Sequence, residues 1–237
     1  MSVERFIHFG EGLFETLRWQ EGKFFTPLEY HYQRLQSGAS FFEIPYPPFE
    51  VFKKFLEKHL KEFKNQLQPF YVKVLLLSLG EGYYGGKATD YQLKVVIKPF
   101  NPPKGKLTLT ISPFRKCSQN PLWRFKTTNF LFNVKVKKEA LQRGFYDALV
   151  LNEFERITET SSANFYCQKD GVLLTPPTEE GLLEGVYRRL LLEQGKAFQH
   201  PLRLEDLKNC ERFFISNSLL GLREVSFEGL RGIRKEP

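Results

Sequence analysis

The sequence is short of everything that would staple or anchor a chain from outside its own core. Of its 237 residues only three are cysteine, at Cys117, Cys167 and Cys210. The count is odd, the spacings are wide and no C-x-x-C pair occurs, so neither a disulfide framework nor a zinc knuckle is expected. The four histidines, His8, His31, His59 and His200, are equally scattered. None has H-E-x-x-H or paired-ligand spacing, and no metal site is expected. The longest purely apolar run lies around Val74–Leu77, far short of the ~20 residues that cross a bilayer. Residues Met1–Phe9 carry Glu4 and Arg5 and no apolar h-region, so no secretory signal is expected. Internal repeats and low-complexity tracts are missing too. These absences lead to the expectation of a soluble cytoplasmic protein with no membrane contact.

What is present fits a globular body. Hydrophobic residues make up 41% and charged residues 26%, ordinary usage that excludes disorder over most of the chain. At about 150 residues per domain the length gives one large domain or two small ones. Lys plus Arg (35) exceed Asp plus Glu (27), for a formal charge of +8. The cations form neither a tail nor one stripe. Lys53, Lys54, Lys58, Lys61 and Lys64 fall among apolar residues of one predicted helix, and Lys135, Lys137 and Lys138 on another. Solvated helix faces are the plain reading, and no nucleic-acid partner is expected. The sharper reading is a positive field that gathers an acidic substrate.

Periodicity divides the chain. Leu13–Arg18 reads as a strand, and Gly22–Phe25 as a turn into a second one. Thr26-Pro27-Leu28-Glu29 reads as a helix start with Thr26 at the N-cap. Pro47–Leu67 carries Phe49, Phe52, Phe55, Leu56, Leu60, Phe63 and Leu67 at helical spacing. Strands are expected over Tyr71–Leu79, Tyr91–Phe100 and Lys106–Pro113. Phe114–Phe125 lacks periodicity and reads as a connection. Thr128–Arg143 follows as a helix stopped by Gly144. Strands come next at Asp147–Asn152, Asn164–Gln168 and Val172–Thr175, with Lys169-Asp170-Gly171 as a hairpin turn. A helix over Glu184–Gln194, a short helix over Leu204–Asn209 and a buried strand over Glu211–Ser216 complete the order. The expected class is α/β or α+β with two lobes. Residues 1–114 form an N-terminal domain, 115–125 a linker and 126–237 a C-terminal domain.

Three chemical motifs fail. Gly80-x-Gly82-x-x-Gly85 follows a strand, but no helix opens after it to hold a pyrophosphate, so a glycine-rich hairpin loop is expected. Neither G-x-x-x-x-G-K-[ST] nor G-x-S-x-G occurs.

Other segments carry chemistry together: Gly10-Glu11-Gly12-Leu13-Phe14-Glu15-Thr16-Leu17-Arg18, His31-Tyr32-Gln33-Arg34-Leu35, Asn120 to Asn129, Ile157 to Phe165, Leu183 to Arg188 and Ile215 to Gly221. In this order and spacing the sequence resembles the class IV aminotransferase family of pyridoxal-phosphate enzymes. That family includes branched-chain and D-amino-acid aminotransferases and aminodeoxychorismate lyase. The resemblance runs from about Gly10 to Val225. It implies the two-lobed fold of fold-type IV enzymes, with a small N-terminal α/β domain and a larger, barrel-like C-terminal one.

The resemblance also assigns roles. Lys126 matches the lysine that forms the Schiff base with pyridoxal 5'-phosphate, which requires a neutral amine. Glu159 matches the carboxylate facing the pyridine nitrogen, which keeps the ring an electron sink. Arg34 matches the arginine on the cofactor phosphate, where a guanidinium fork donates twice. Gly185-Val186-Tyr187 opens a helix whose free N–H groups suit the same phosphate. Tyr187 stands where the family often has a small residue, so Val186 and Tyr187 are expected to act through their backbone. Ser216, Asn217 and Ser218 are expected to close around the phosphate, with Ser161 and Asn164 beside Glu159. Lys87 and Arg124 are candidates for substrate carboxylates.

The Ser216-Asn217-Ser218-Leu219-Leu220-Gly221-Leu222 run, Asn120-Pro121-Leu122 and Asn129 resemble the lyase subfamily. Leu131 stands where branched-chain enzymes usually have tyrosine. The implied activity is conversion of 4-amino-4-deoxychorismate to 4-aminobenzoate and pyruvate, a step of folate biosynthesis. The alternative is an aminotransferase for branched-chain or D-amino acids. The family also implies a homodimer.

Overall fold

The computed structural model describes residues 3–228. The chain divides into two compact units, one holding the chain up to Pro102 together with Phe125–Asn129, the other Pro103–Arg124 and the residues from Phe130 onward.

In the first unit a short helix α1 (Arg5–Phe9) precedes β1 (Gly12–Gln20) and β2 (Lys23–Phe24). Helices α2 (Leu28–Phe41) and α3 (Phe49–Leu60) follow, and then the long hairpin β3 (Phe70–Gly80) and β4 (Ala88–Pro99). The sheet order is β2-β1-β3-β4, antiparallel throughout. Strand alternation explains its two faces. Leu13, Leu17 and Trp19 of β1 and Val72, Val74 and Leu76 of β3 are buried in one cluster with Leu35 of α2 and Phe52 and Leu56 of α3. The alternate residues Phe14, Thr16 and Arg18 lie opposite Leu75, Lys73 and Tyr71 on the other face.

Thr26 does not cap α2. The N-cap position is Pro27, with no side-chain capping bond, because the Thr26 hydroxyl is spent on the His31 ring at 2.8 Å. The glycine-rich stretch is the expected loop of the β3–β4 hairpin.

The second unit contains β5 (Leu107–Lys116), α4 (Leu131–Gln142), β6 (Asp147–Asn152), β7 (Ile157–Thr160), β8 (Asn164–Lys169) and β9 (Val172–Thr175). Then come α5 (Val186–Glu193), β10 (Phe198–Gln199), β11 (Arg212–Asn217) and β12 (Gly221–Phe227). The sheet runs β10-β9-β8-β11-β12-β5-β6-β7, and a further β7–β8 pairing closes β8, β11, β12, β5, β6 and β7 into a ring. Leu109, Leu149, Ile157, Phe165, Ile215 and Val225 from its strands share one buried cluster. Closure leaves those strands no open edge to protect. The β8–β9 turn places Asp170 at φ 50° and Gly171 at φ 76°, the paired left-handed conformations of a two-residue hairpin.

The units divide the chain differently from the boundaries expected at 114 and 126. β5 pairs with β6 and β12 and so belongs to the second unit. The helix expected from Thr128 begins at Leu131. Residues just before it are extended beside β1. Phe14 N–H donates to Lys126 O at 2.9 Å, and Thr128 N–H to Gly12 O at 2.8 Å. The Thr128 hydroxyl donates to Gly10 O at 2.8 Å.

Candidate active site

In the first unit the extended backbone beside β1 fixes where Lys126 stands. Its ammonium lies 4.4 Å from the centroid of the Phe14 ring. The Lys73 ammonium lies 4.0 Å from the same centroid. Lys98 sits 4.8 Å from the Tyr71 ring, and Arg18 3.4 Å from the Phe25 ring. Burial, and then the neighbouring Lys98, push the Lys73 amine below its ordinary value. One sheet face thus carries Arg18, Lys73 and Lys98 interleaved with aromatic rings, on the same side as Phe14. Sequence reading missed these cations. The signal was Lys73 set between Val72 and Val74, where alternation puts it on the face opposite the core.

The core face of β1 holds Glu15, which is fully buried. Arg34 of α2 grips it with both prongs, Nε to Oε1 at 2.7 Å and Nη2 to Oε2 at 2.6 Å. His31 Nδ1 lies 2.7 Å from Oε2. A carboxylate only accepts, so Nδ1 carries the proton and Nε2 accepts from Thr26. Burial alone would push the Glu15 carboxyl up; the Arg34 charge and bond, with those of His31, outweigh it and hold it at about 2. Burial also pushes His31 down, against the opposing pull of Glu15. Arg34, assigned to the cofactor phosphate by resemblance, therefore already serves Glu15.

The sign of the pH dependence follows. Glu15 titrates at about 2 here against 4.5 ordinarily, so its stabilisation is complete above pH 4.5 and is lost as pH falls toward 2. The span is worth about 3 kcal/mol. Urea unfolding followed by the fluorescence of Trp19 on β1 is expected to show that loss. In Glu15→Gln the stability is expected to change much less across the same interval.

In the second unit Glu159 of β7 and Lys116 at the end of β5 form a buried pair, Nζ to Oε1 at 2.5 Å. Leu183 N–H also reaches Oε1, at 3.3 Å. Asn164 Nδ2 donates to Oε2 at 3.3 Å and to Leu183 O at 2.8 Å. Gly185 precedes α5, and a Cβ there would come 2.0 Å from Asn164 Oδ1, so only glycine fits beside that amide. The N-terminus of α5 has no side-chain cap, which leaves backbone N–H groups of its first turn for an acceptor. The Tyr187 side chain packs with Leu173, Leu192 and Leu222 against the apolar cluster of Tyr166 and Leu191, in keeping with a backbone role.

Ser216 at the end of β11 shares a 2.7 Å bond with the Tyr166 hydroxyl. Burial pushes the Tyr166 phenol up. Asn217 Oδ1 accepts from the N–H groups of Leu219 and Leu220 at 3.0 and 2.9 Å, and its Nδ2 donates to Ser162 O at 3.1 Å. The same turn holds Ser218, buried at its end. Ser161 is placed by Asp147, which accepts from its N–H at 3.2 Å, and by Asn133, which donates to its carbonyl at 2.8 Å. The Ser161 hydroxyl is buried and lacks a partner among the described residues.

The donor set of this unit fits pyridoxal phosphate: a buried hydroxyl with no partner among the described residues, further serines, a helix N-terminus without a side-chain cap, and a buried carboxylate with one lightly engaged oxygen. Lys87 and Arg124, the residues suggested for substrate carboxylates, are both exposed. Lys87 lies in the hairpin loop, and Arg124 ends a short 3-10 turn over Pro121–Arg124. Among the described residues no cluster of potential metal ligands occurs, and no helix is long and apolar enough to cross a membrane.

The chain is similar to known proteins along most of its length. It is 26% identical over 239 residues to D-alanine aminotransferase of Listeria monocytogenes, covering 94% of this chain and 80% of that one. It is 28% identical over 226 residues to aminodeoxychorismate lyase of Bacillus subtilis, covering 90% and 75%. Its fold matches a candidate 4-amino-4-deoxychorismate lyase from Legionella pneumophila with a TM-score of 0.88 and 26% identity, over 95% of this chain and 86% of that one. The model of the family described as "Amino-transferase class IV" matches residues 12–226. The chain therefore belongs to the class IV aminotransferases, a family of fold-type IV pyridoxal-phosphate enzymes acting as aminotransferases or lyases.

Proposed function

We propose that the protein is an aminodeoxychorismate lyase, releasing 4-aminobenzoate and pyruvate in folate biosynthesis as a cytoplasmic homodimer. One observation carries the preference for the lyase. The Phe14 ring bears two ammonium groups, Lys126 and Lys73. A second cation thus shares the ring that the reactive amine contacts, with Lys98 and Arg18 further along the same sheet face. Aminodeoxychorismate carries two carboxylates, whereas D-alanine and the branched-chain amino acids carry one and an apolar side chain. A cationic face with aromatic walls suits the former. The likeness of the Ser216–Leu222 run to the lyase subfamily supports the same reading.

Each residue has a task. Ser216, Ser218 and the first N–H groups of α5, at Val186 and Tyr187, hold the cofactor phosphate, Asn217 shapes their turn, and Ser161 stands beside Glu159. Arg34 adds its charge to that phosphate while remaining tied to Glu15. Glu159 meets the ring nitrogen and Asn164 orients it. Pyridoxal phosphate held by these residues would supply an electron-withdrawing ring that acidifies the carbon bearing the substrate amine. Lys126 removes the proton on the amine-bearing carbon. The C–H electrons displace the enolpyruvyl oxygen from the neighbouring carbon, and the leaving group takes a proton to become pyruvate. Loss of both groups leaves an aromatic ring. Lys73 and Lys98 hold substrate carboxylates, with Lys87 and Arg124 as outer cations.

The test is product analysis. Purified protein with aminodeoxychorismate is expected to give 4-aminobenzoate and pyruvate in equal amounts. With D-alanine or leucine and 2-oxoglutarate it is expected to give no glutamate. The reverse pattern would establish an aminotransferase and sink the lyase.

A further inference from the structure

Glu159 is partnered unevenly. Lys116 and the Leu183 N–H both take Oε1, at 2.5 and 3.3 Å, while among the described residues Oε2 receives only the long 3.3 Å contact from Asn164. An ionised carboxylate offers about four acceptor positions, so Oε2 keeps room for one more donor. Lys116 is itself held. It ends β5 opposite Asn152, its side chain is 2% exposed, and its ammonium lies 4.8 Å from the centroid of the Trp123 ring. A buried ion pair is a poor way to gain stability, because desolvation offsets the attraction and an apolar pair packs as well. A cation placed against this carboxylate therefore asks for another reason.

We propose that Lys116 is a positioning residue. It clamps Glu159 by Oε1, keeps Oε2 for the ring nitrogen of the cofactor, and opposes with its charge the proton on that nitrogen. This rests on the reading of Glu159 as the ring-nitrogen partner. Two positive groups on one carboxylate repel each other in a low-dielectric site. Lys116 thereby limits how firmly the ring nitrogen is held charged. The same clamp fixes the carboxylate before the cofactor arrives, so little side-chain ordering remains for the binding step.

The experiment compares two probes on the cofactor-free protein: pyridoxal phosphate, and its 1-deaza analogue with C–H in place of the ring nitrogen. Dissociation constants are read from the quenching of tryptophan fluorescence. The quantity of interest is the preference for the natural ring over the analogue. Lys116→Met is expected to raise that preference about tenfold, since the repelling charge is gone. Lys116→Arg is expected to keep the wild-type preference. Glu159→Gln is expected to collapse it.

A Lys116→Met protein that binds both probes more weakly by the same factor would show a packing role only and overturn the proposal. If the preference survives in Glu159→Gln, Glu159 does not meet the ring nitrogen, and both readings fall. A preference lost in Glu159→Gln but unchanged in Lys116→Met overturns the Lys116 role alone. Should circular dichroism show Lys116→Met unfolded, Lys116→Gln carries the same expectation and the same refutation.

Discussion

Lys126→Ala is expected to release no measurable 4-aminobenzoate, a fall of at least about 10⁴-fold, because it removes the covalent anchor and the general base together. The loss should be chemical and not structural. The Lys126 carbonyl, which accepts from Phe14 N–H at 2.9 Å, is kept by alanine, and the side-chain contact with the Phe14 ring is worth only about 0.5–1 kcal/mol. Circular dichroism and the urea midpoint should therefore stay close to wild type. Added methylamine should restore part of the proton transfer, since a small amine can enter the space the side chain leaves. Product release by Lys126→Ala at a rate comparable to wild type would remove Lys126 from the mechanism.

Arg34→Ala is expected to cost the first unit about 3–5 kcal/mol, the usual effect of stripping one partner from a buried ion pair. Glu15 is fully buried, and Arg34 donates to both of its carboxylate oxygens, at 2.7 and 2.6 Å. A drop in cofactor affinity in this variant alone would say nothing about the phosphate, since the sheet beneath would have loosened. The double variant Glu15→Gln with Arg34→Ala removes both charges and should recover much of the stability. In that background, weaker binding of pyridoxal phosphate with unchanged binding of pyridoxal would show that Arg34 reaches the phosphate. Equal changes for the two ligands would confine Arg34 to its pairing with Glu15.

Much of the architecture could be read from periodicity. The strand read over Tyr71–Leu79 and the aromatic helix read over Pro47–Leu67 were plain in kind, because alternation and 3.6-residue spacing are local properties, although the α-helix closes at Leu60 and passes into a 3-10 turn over Lys61–Phe63. The stop of α4 before Gly144 was equally plain. Other features depend on distant partners. Thr26 has the composition of an N-cap, yet its hydroxyl goes to His31, a choice made by the burial of Glu15 on another element. Thr128 looks like a helix start, but its hydrogen bonds run to Gly10 and Gly12. β7 is only four residues long, Ile157–Thr160, and shows as a strand only once β6 and β8 flank it.

The site residues named from the sequence came from resemblance. Their electrostatic neighbours could not. Lys116 is one lysine in a basic chain until the sheet sets β5 and β7 on either side of β6. Lys73 becomes notable only when its ammonium is found against the same Phe14 ring as that of Lys126.

The short return of Phe125–Asn129 into the first unit has a consequence for how the enzyme would fail under stress. The amine proposed for the reaction hangs from a ribbon secured to β1, whereas Glu159 and Ser216 stand on strands of a closed ring. Partial melting of the four-stranded sheet would carry off that amine, together with Arg34, and leave the second unit's proposed cofactor contacts in place. Turnover would then disappear on warming before the protein let go of its vitamin.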